Sequence, residues 1–234
     1  MKKFGLIVFA VCIVVGLAFA NFFNVGRLTG QVFNFNVDIG DRVTGSGHSA
    51  TEKRDVAGFS QVEVSGVFQV EIVAGKEYSV DVQADDNILP LIQTKVNGDT
   101  LEIELDQSVK SKSSMIVRIS APNIERVESS GAAKISASGI KNEQFSVDTS
   151  GASKITLSGE TAKLDINVSG ASNIDAEQLA AQTVDIDSSG ASKIAVNAIR
   201  EIHTQASGMS RITYTGDPKT VENQTSGASS ITKK

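Results

Sequence analysis

Four cations recur at one position of a repeated segment: Lys134, Lys154, Lys193 and Arg211, with Asn173 and Ser230 filling the remaining copies. If the copies stack as strands about 4.8 Å apart, this column presents a line of positive charge to an anionic polysaccharide, lipid headgroups or a protein. The same column would also serve as a solvated face that keeps a stack soluble. A second column reads Glu128, Asp148, Asn167, Asp187, Gln205 and Gln224. Its Asp148 and Asp187 are separated by the Asn167 copy, so they would stand about 10 Å apart, too far to share a small cation. His48 and His203 lie far apart in the chain, and Cys12 is the only thiol. No nucleophile elbow, phosphate loop or zinc spacing appears. No catalytic residue, metal or cofactor is therefore expected.

The segment that carries these columns must position them. Ser-Gly recurs at Ser130-Gly131, Ser150-Gly151, Ser169-Gly170, Ser189-Gly190, Ser207-Gly208 and Ser226-Gly227, with glycines 20, 19, 20, 18 and 19 residues apart. Four residues after each glycine stands an isoleucine: Ile135, Ile155, Ile174, Ile194, Ile212 and Ile231. Alternation adds an apolar column before each corner, Phe145, Leu164, Val184, Ile202 and Val221. Each copy thus holds two short strands with one apolar face apiece, joined by Ser-Gly-Ala. Glycine suits such a corner because it takes positive φ at little cost, and because larger side chains would crowd adjacent corners. A two-strand unit of this size buries its apolar side only by stacking on its neighbours. Six coils would span roughly 29 Å at the strand spacing. An antiparallel sandwich is the competing arrangement, disfavoured because hairpins invert the register that the columns keep. The two-residue period excludes a helical solenoid. The expected class is all-β, a parallel β-helix with coils of about 19 residues over 126–234.

Upstream, residues 55–125 read as a less regular β-rich part. Phe59–Ser65, Phe68–Val73 and Tyr78–Ala84 alternate apolar with polar, and Asn97-Gly98-Asp99 joins Ile92–Val96 to Leu101–Leu105 as a hairpin. Asn87 to Leu91 reads as a helical turn and Met115 to Ser120 as a strand. Residues 21–54 read as a linker with one short strand at 32–37. The first twenty residues hold Lys2 and Lys3, then seventeen uncharged residues from Phe4 to Ala20, ending in Ala18-Phe19-Ala20. This is a signal peptide cleaved before Asn21 or a retained membrane anchor, and either exports the rest.

Loss of that leader leaves 20 basic against 27 acidic residues, a net charge near −7. An acidic chain is a poor ligand for phosphate backbones, so nucleic acid is not an expected partner. Trp is absent, and beyond residue 100 only Phe145 and Tyr214 are aromatic. That removes the stacking platforms sugars prefer, and the 18 to 20 residue spacing leaves no room for loops that wall a cleft. The alternative class, a polysaccharide-processing β-helix lyase or hydrolase, needs both.

The recurrent Ser150-Gly151-Ala152-Ser153-Lys154-Ile155, with Phe59–Gly66, Asp85–Pro90 and Thr100–Ile103 upstream, resembles the head GIN domain family over about residues 55–231. These are exported bacterial proteins grouped as auto-transporter adhesins. The resemblance implies a right-handed parallel β-helix, an envelope location and no established catalytic residues. The expected function is a non-catalytic exported envelope protein presenting a rigid solenoid surface to a protein or an anionic glycan, with end-to-end stacking as a route to oligomers.

Overall fold

The computed structural model describes residues 42–234. The leader 1–20 and the strand expected at 32–37 lie outside the described residues. Among the described residues no helix is long and apolar enough to cross a membrane.

The N-terminal part forms β1 (Val43–Thr44), β2 (Ser49–Arg54), β3 (Gln61–Val64), β4 (Gln69–Ala74), β5 (Ser79–Asp85), β6 (Ile92–Asn97), β7 (Thr100–Leu105), β8 (Val109–Lys110) and β9 (Ile116–Ala121). The strands expected over 55–125 are present, and the helical turn is one 3-10 turn at Leu89–Leu91. The linker expectation for 21–54 is corrected over its described end, where β1 pairs β8 and β2 pairs β5. Ser-Ala-Thr-Glu-Lys-Arg has no apolar alternation to reveal β2. It is held by backbone pairing at an edge, where charged side chains also discourage unwanted pairing.

The repeated part forms β10 (Arg126–Ser129), β11 (Lys134–Thr149), β12 (Lys154–Val168), β13 (Asn173–Gly190), β14 (Lys193–Gly208), β15 (Arg211–Thr215), β16 (Thr220–Thr225) and β17 (Ser230–Lys233). All of these pair in parallel, coil on coil, making a β-solenoid of about 5 turns. Ile135, Ile155, Ile174, Ile194, Ile212 and Ile231 stand in one register, as the repeat predicts. The first five are buried, and Phe145, Leu164, Val184 and Ile202 fill the opposite wall. The two strands expected per coil run on as one element in β11 to β14. They are divided by register shifts, such as that between Ala137 and Ile140, where Gly139 takes φ +72°.

The columns do not end where the repeat ends. Val70 in β4 lies opposite Ile135, and Val117 in β9 lies opposite Val70. Likewise Val62 pairs Val127, and Leu101 pairs Val62. The spatial order is therefore β7 with β9, then β3 with β4, then β10 with β11, which is not chain order. The chain lays the 61–74 coil, passes beneath it with 100–121, and returns through Pro122–Glu125 to start the stack above. The Glu125 N–H donates to Ser60 O at 2.7 Å on that return. Antiparallel strands close this end: β6 on β7 through the turn at Gly98 (φ +64°), β5 on β9, and β2 on β5. At the other end, the inward columns change to Asn223 opposite Thr204 and Lys233 opposite Tyr214. Val221 is 42 % exposed where Ile202 below it is 0 %.

Candidate interaction surface: the Ser-Gly-Ala corner and its flanking ladders

Each coil turns outward at Ser-Gly-Ala, and the reason for glycine differs from expectation. Gly131, Gly151, Gly170 and Gly190 are not at positive φ; of the repeat's six corner glycines only Gly208 and Gly227 are. Space decides instead. A Cβ on Gly151 would stand 1.9 Å from Gly131 O, and one on Gly170 would stand 2.2 Å from Gly151 O. The corners stack backbone on backbone, and any side chain there would have to displace a carbonyl.

In four of the six corners the serine two residues after the glycine turns inward. Ser153, Ser172, Ser192 and Ser210 are buried. Their hydroxyls donate to the glycine carbonyls of the preceding coil, Ser172 Oγ to Gly151 O at 3.2 Å for example. The same carbonyl accepts the next alanine N–H, as Ala171 N to Gly151 O at 3.0 Å. Both lone pairs are used, so a polar residue is buried without an unmet acceptor. The motif was visible in the sequence, but the inward turn was not, since corner serines usually face water.

Outside the corner runs a ridge of exposed small and apolar residues: Ala132, Ala152, Ala171, Ala191 and Ala228, continued by Val67 and Met209. Each N–H of this ridge donates to the glycine carbonyl one coil below at 2.8–3.0 Å, from Val67's neighbour Ala132 to Ala228. Among the described residues Val67 and Met209 are the two most exposed large apolar side chains, at 63 % and 70 %.

On one flank of the ridge stands the basic column. Lys134, Lys154, Asn173, Lys193, Arg211 and Ser230 are in strand register and all exposed. Among the described residues none of the four cations belongs to an ion pair within 4.0 Å. An open groove of about 370 Å³ lies between ridge and column, lined by Ala191, Met209, Lys193 and Arg211 among others.

On the other flank stands the acidic column, Glu128, Asp148, Asn167, Asp187, Gln205 and Gln224, again in register. An open groove of about 360 Å³ lies between it and Ser150, Ser169 and Ser189, the serines before the corner glycines. Arg126 pairs with Glu128 at 3.2 Å and Asp148 at 3.1 Å, and Asn167 Nδ2 donates to Asp148 at 3.0 Å. The column continues into the N-terminal coils through Glu63 and Glu102, which the out-of-order stacking hides from the sequence. Burial, with the carboxylates of Glu128, Glu102 and Glu104 close by, pushes the Glu63 carboxyl up despite Arg126. Among the described residues no group of three or more ligand side chains is placed to hold a metal. His48 lies exposed at the N-terminal end and His203 faces Glu222 at 3.8 Å, so the two histidines share no site.

The family model described as "Putative auto-transporter adhesin, head GIN domain" matches residues 58–218. The chain belongs to this family. Solved structures share the fold. A putative adhesin from Bacteroides fragilis is 21% identical, with a TM-score of 0.68 over 82% of this chain and 99% of that one. A putative lipid binding protein from Parabacteroides distasonis (18% identical, TM-score 0.53) covers 82% and 99%. A putative adhesin from Parabacteroides merdae (17%, 0.53) covers 83% and 99%. No curated protein matches the chain.

Proposed function

We propose that the chain is a non-catalytic binding module of the bacterial envelope. Its contact surface is the basic ladder Lys134, Lys154, Lys193 and Arg211, and its partner carries closely spaced anionic groups, on a protein or an envelope glycan. The observation that carries this reading is the ladder itself: four exposed cations with no ion-pair partner among the described residues, held in strand register on the stack. Charges of one sign aligned in register repel along the column, and an anionic partner relieves that repulsion. Rigidity favours binding because little conformational freedom is lost on contact. The open grooves suit a long or flat partner better than a small enclosed substrate. The family name and the names of the structural relatives agree with an adhesive role outside the cytoplasm.

The test is retention of the full chain on envelope fractions and immobilised anionic glycans at low salt. Lys154→Glu with Lys193→Glu keeps the circular dichroism spectrum and melting curve of the parent and weakens retention at least about tenfold. Added salt weakens the parent in the same direction. Retention unchanged by the double variant overturns the ladder as the contact.

A further inference from the structure

We infer that the line of anions which the basic ladder meets is the acidic ladder of a second copy of this chain. Two solenoids then lie side by side with parallel axes, ridge against ridge. The inference rests on the preceding reading of the basic ladder as a contact surface and names what it contacts.

The observation is a coil-by-coil match across the ridge. Glu128 precedes the corner whose far flank is Lys134, Asp148 the corner with Lys154, and Asp187 the corner with Lys193. The one coil with a neutral Asn167 on the acidic flank also has a neutral Asn173 on the basic flank. The last coil, Gln224 and Ser230, is neutral on both flanks; among the six repeated coils only that with Gln205 and Arg211 carries a single charge, and the Val67 coil beneath them has Glu63 opposite a neutral Gln69. A twofold axis parallel to the solenoid exchanges left and right flanks while keeping height. It therefore sets Asp148 against Lys154 of the second copy, Asp187 against Lys193, and Asn167 against Asn173, on both seams at once. A twofold axis across the ridge would set like charges together, so the parallel arrangement is selected.

The ridge fits the same axis. Residues at one height meet themselves, so Met209 packs on Met209 and Val67 on Val67, covering the two most exposed large apolar side chains. The alanines between them let the backbones approach. Within the two columns, Lys134, Lys154, Lys193, Arg211 and Asp187 have no ion pair within 4.0 Å among the described residues, and the contact pairs them or brings them to the seam, whereas Glu128 and Asp148 already pair with Arg126.

Size sets the strength. Six coil intervals make the ridge about 29 Å long, and the six-residue arc from Asp148 to Lys154 is at most about 20 Å wide. The contact is then below about 600 Å² per copy, at the low end for a specific interface. A weak dimer follows, with Kd between about 10 µM and 1 mM, sensitive to salt because its seams are charged.

Sedimentation of the full chain over that concentration range tests this. The parent dimerises at low salt. Lys154→Glu/Lys193→Glu and Asp148→Lys/Asp187→Lys each dimerise at least about tenfold more weakly, yet the two variants mixed form a heterodimer. Lys193→Glu with Asp187→Lys repeats the mixing test without disturbing the Arg126 pairs. Lys53→Glu/Lys141→Glu, of equal charge change away from the ridge, dimerises like the parent. A parent that stays monomeric, a dimer indifferent to either ladder, or mixed variants that fail to associate overturns the inference. Envelope retention separates it from the broader proposal. If the parent is monomeric while the lysine variant loses retention, the partner is not a second copy and the binding role stands. If Asp148→Lys/Asp187→Lys abolishes dimers but keeps retention, the second copy is confirmed as a separate partner of the same ladder.

Discussion

Residues 126–234 and 42–125 build the same wall in two ways. In the repeated region one contact is made again and again: isoleucine over isoleucine, serine hydroxyl to the glycine carbonyl below, alanine N–H to the same carbonyl. In the N-terminal region the parallel columns continue for two more coils, then antiparallel strands fold over them and each contact is made once. The hub of that cap is Asp85, fully buried at the end of β5. Its carboxylate accepts from Ser113 Oγ at 2.6 Å, Ser111 Oγ at 3.0 Å and Lys112 N at 2.8 Å. Those bonds, led by the one from Ser113, hold the carboxyl well below the usual carboxylate range. A repeated contact spreads a defect along the stack, whereas a unique contact localises it. Parallel in-register pairing lets each coil template the next, and antiparallel pairing ends the templating.

The largest expected effect comes from breaking the repeated contact. Gly170→Val puts a branched side chain where a Cβ already meets Gly151 O at 2.2 Å. It should cost about 3–5 kcal/mol or abolish folding, seen as a lower urea midpoint with loss of cooperativity across the whole chain. If stability is unchanged, the stacked-backbone account of the corner is wrong.

Asp85→Asn should act locally. The folded-state pKa of Asp85 is depressed, so its contribution is present above the unfolded value near 3.9 and is lost as pH falls below it. In the parent, hydrogen exchange of β2, β5 and the 108–114 segment should accelerate as pH drops below about 4 once intrinsic rates are removed. The variant should show the faster exchange already at pH 7, with β12 and β13 unaffected in both. Equal loss of protection in cap and stack would show that the two regions unfold as one.

Glu63→Gln sharpens the comparison where the regions meet, with the smallest effect. Glu63 has a raised pKa, so its ionisation costs folding free energy as pH rises above its ordinary 4.5. The variant should melt slightly higher at pH 7 and match the parent below about pH 4. A variant less stable at pH 7 would mean that Arg126 outweighs the carboxylates around it.

The amino-acid sequence by itself determined the repeated half. A side chain at period two faces one way, and apolar columns recurring every 18 to 20 residues have one economical solution, strands stacked in register. That fixed the isoleucine ladder, the parallel pairing, and the two charged columns down to individual residues. Only the tertiary structure decided three other things. It placed the 61–74 coil between 100–121 and the repeats, because coil order is set by which apolar edge remains open and not by chain order. It joined β2 to the sheet through backbone bonds, which carry no side-chain signature. It turned the corner serines inward and made glycine obligatory through carbonyls approaching from the coil below, a distance between segments that no single segment records.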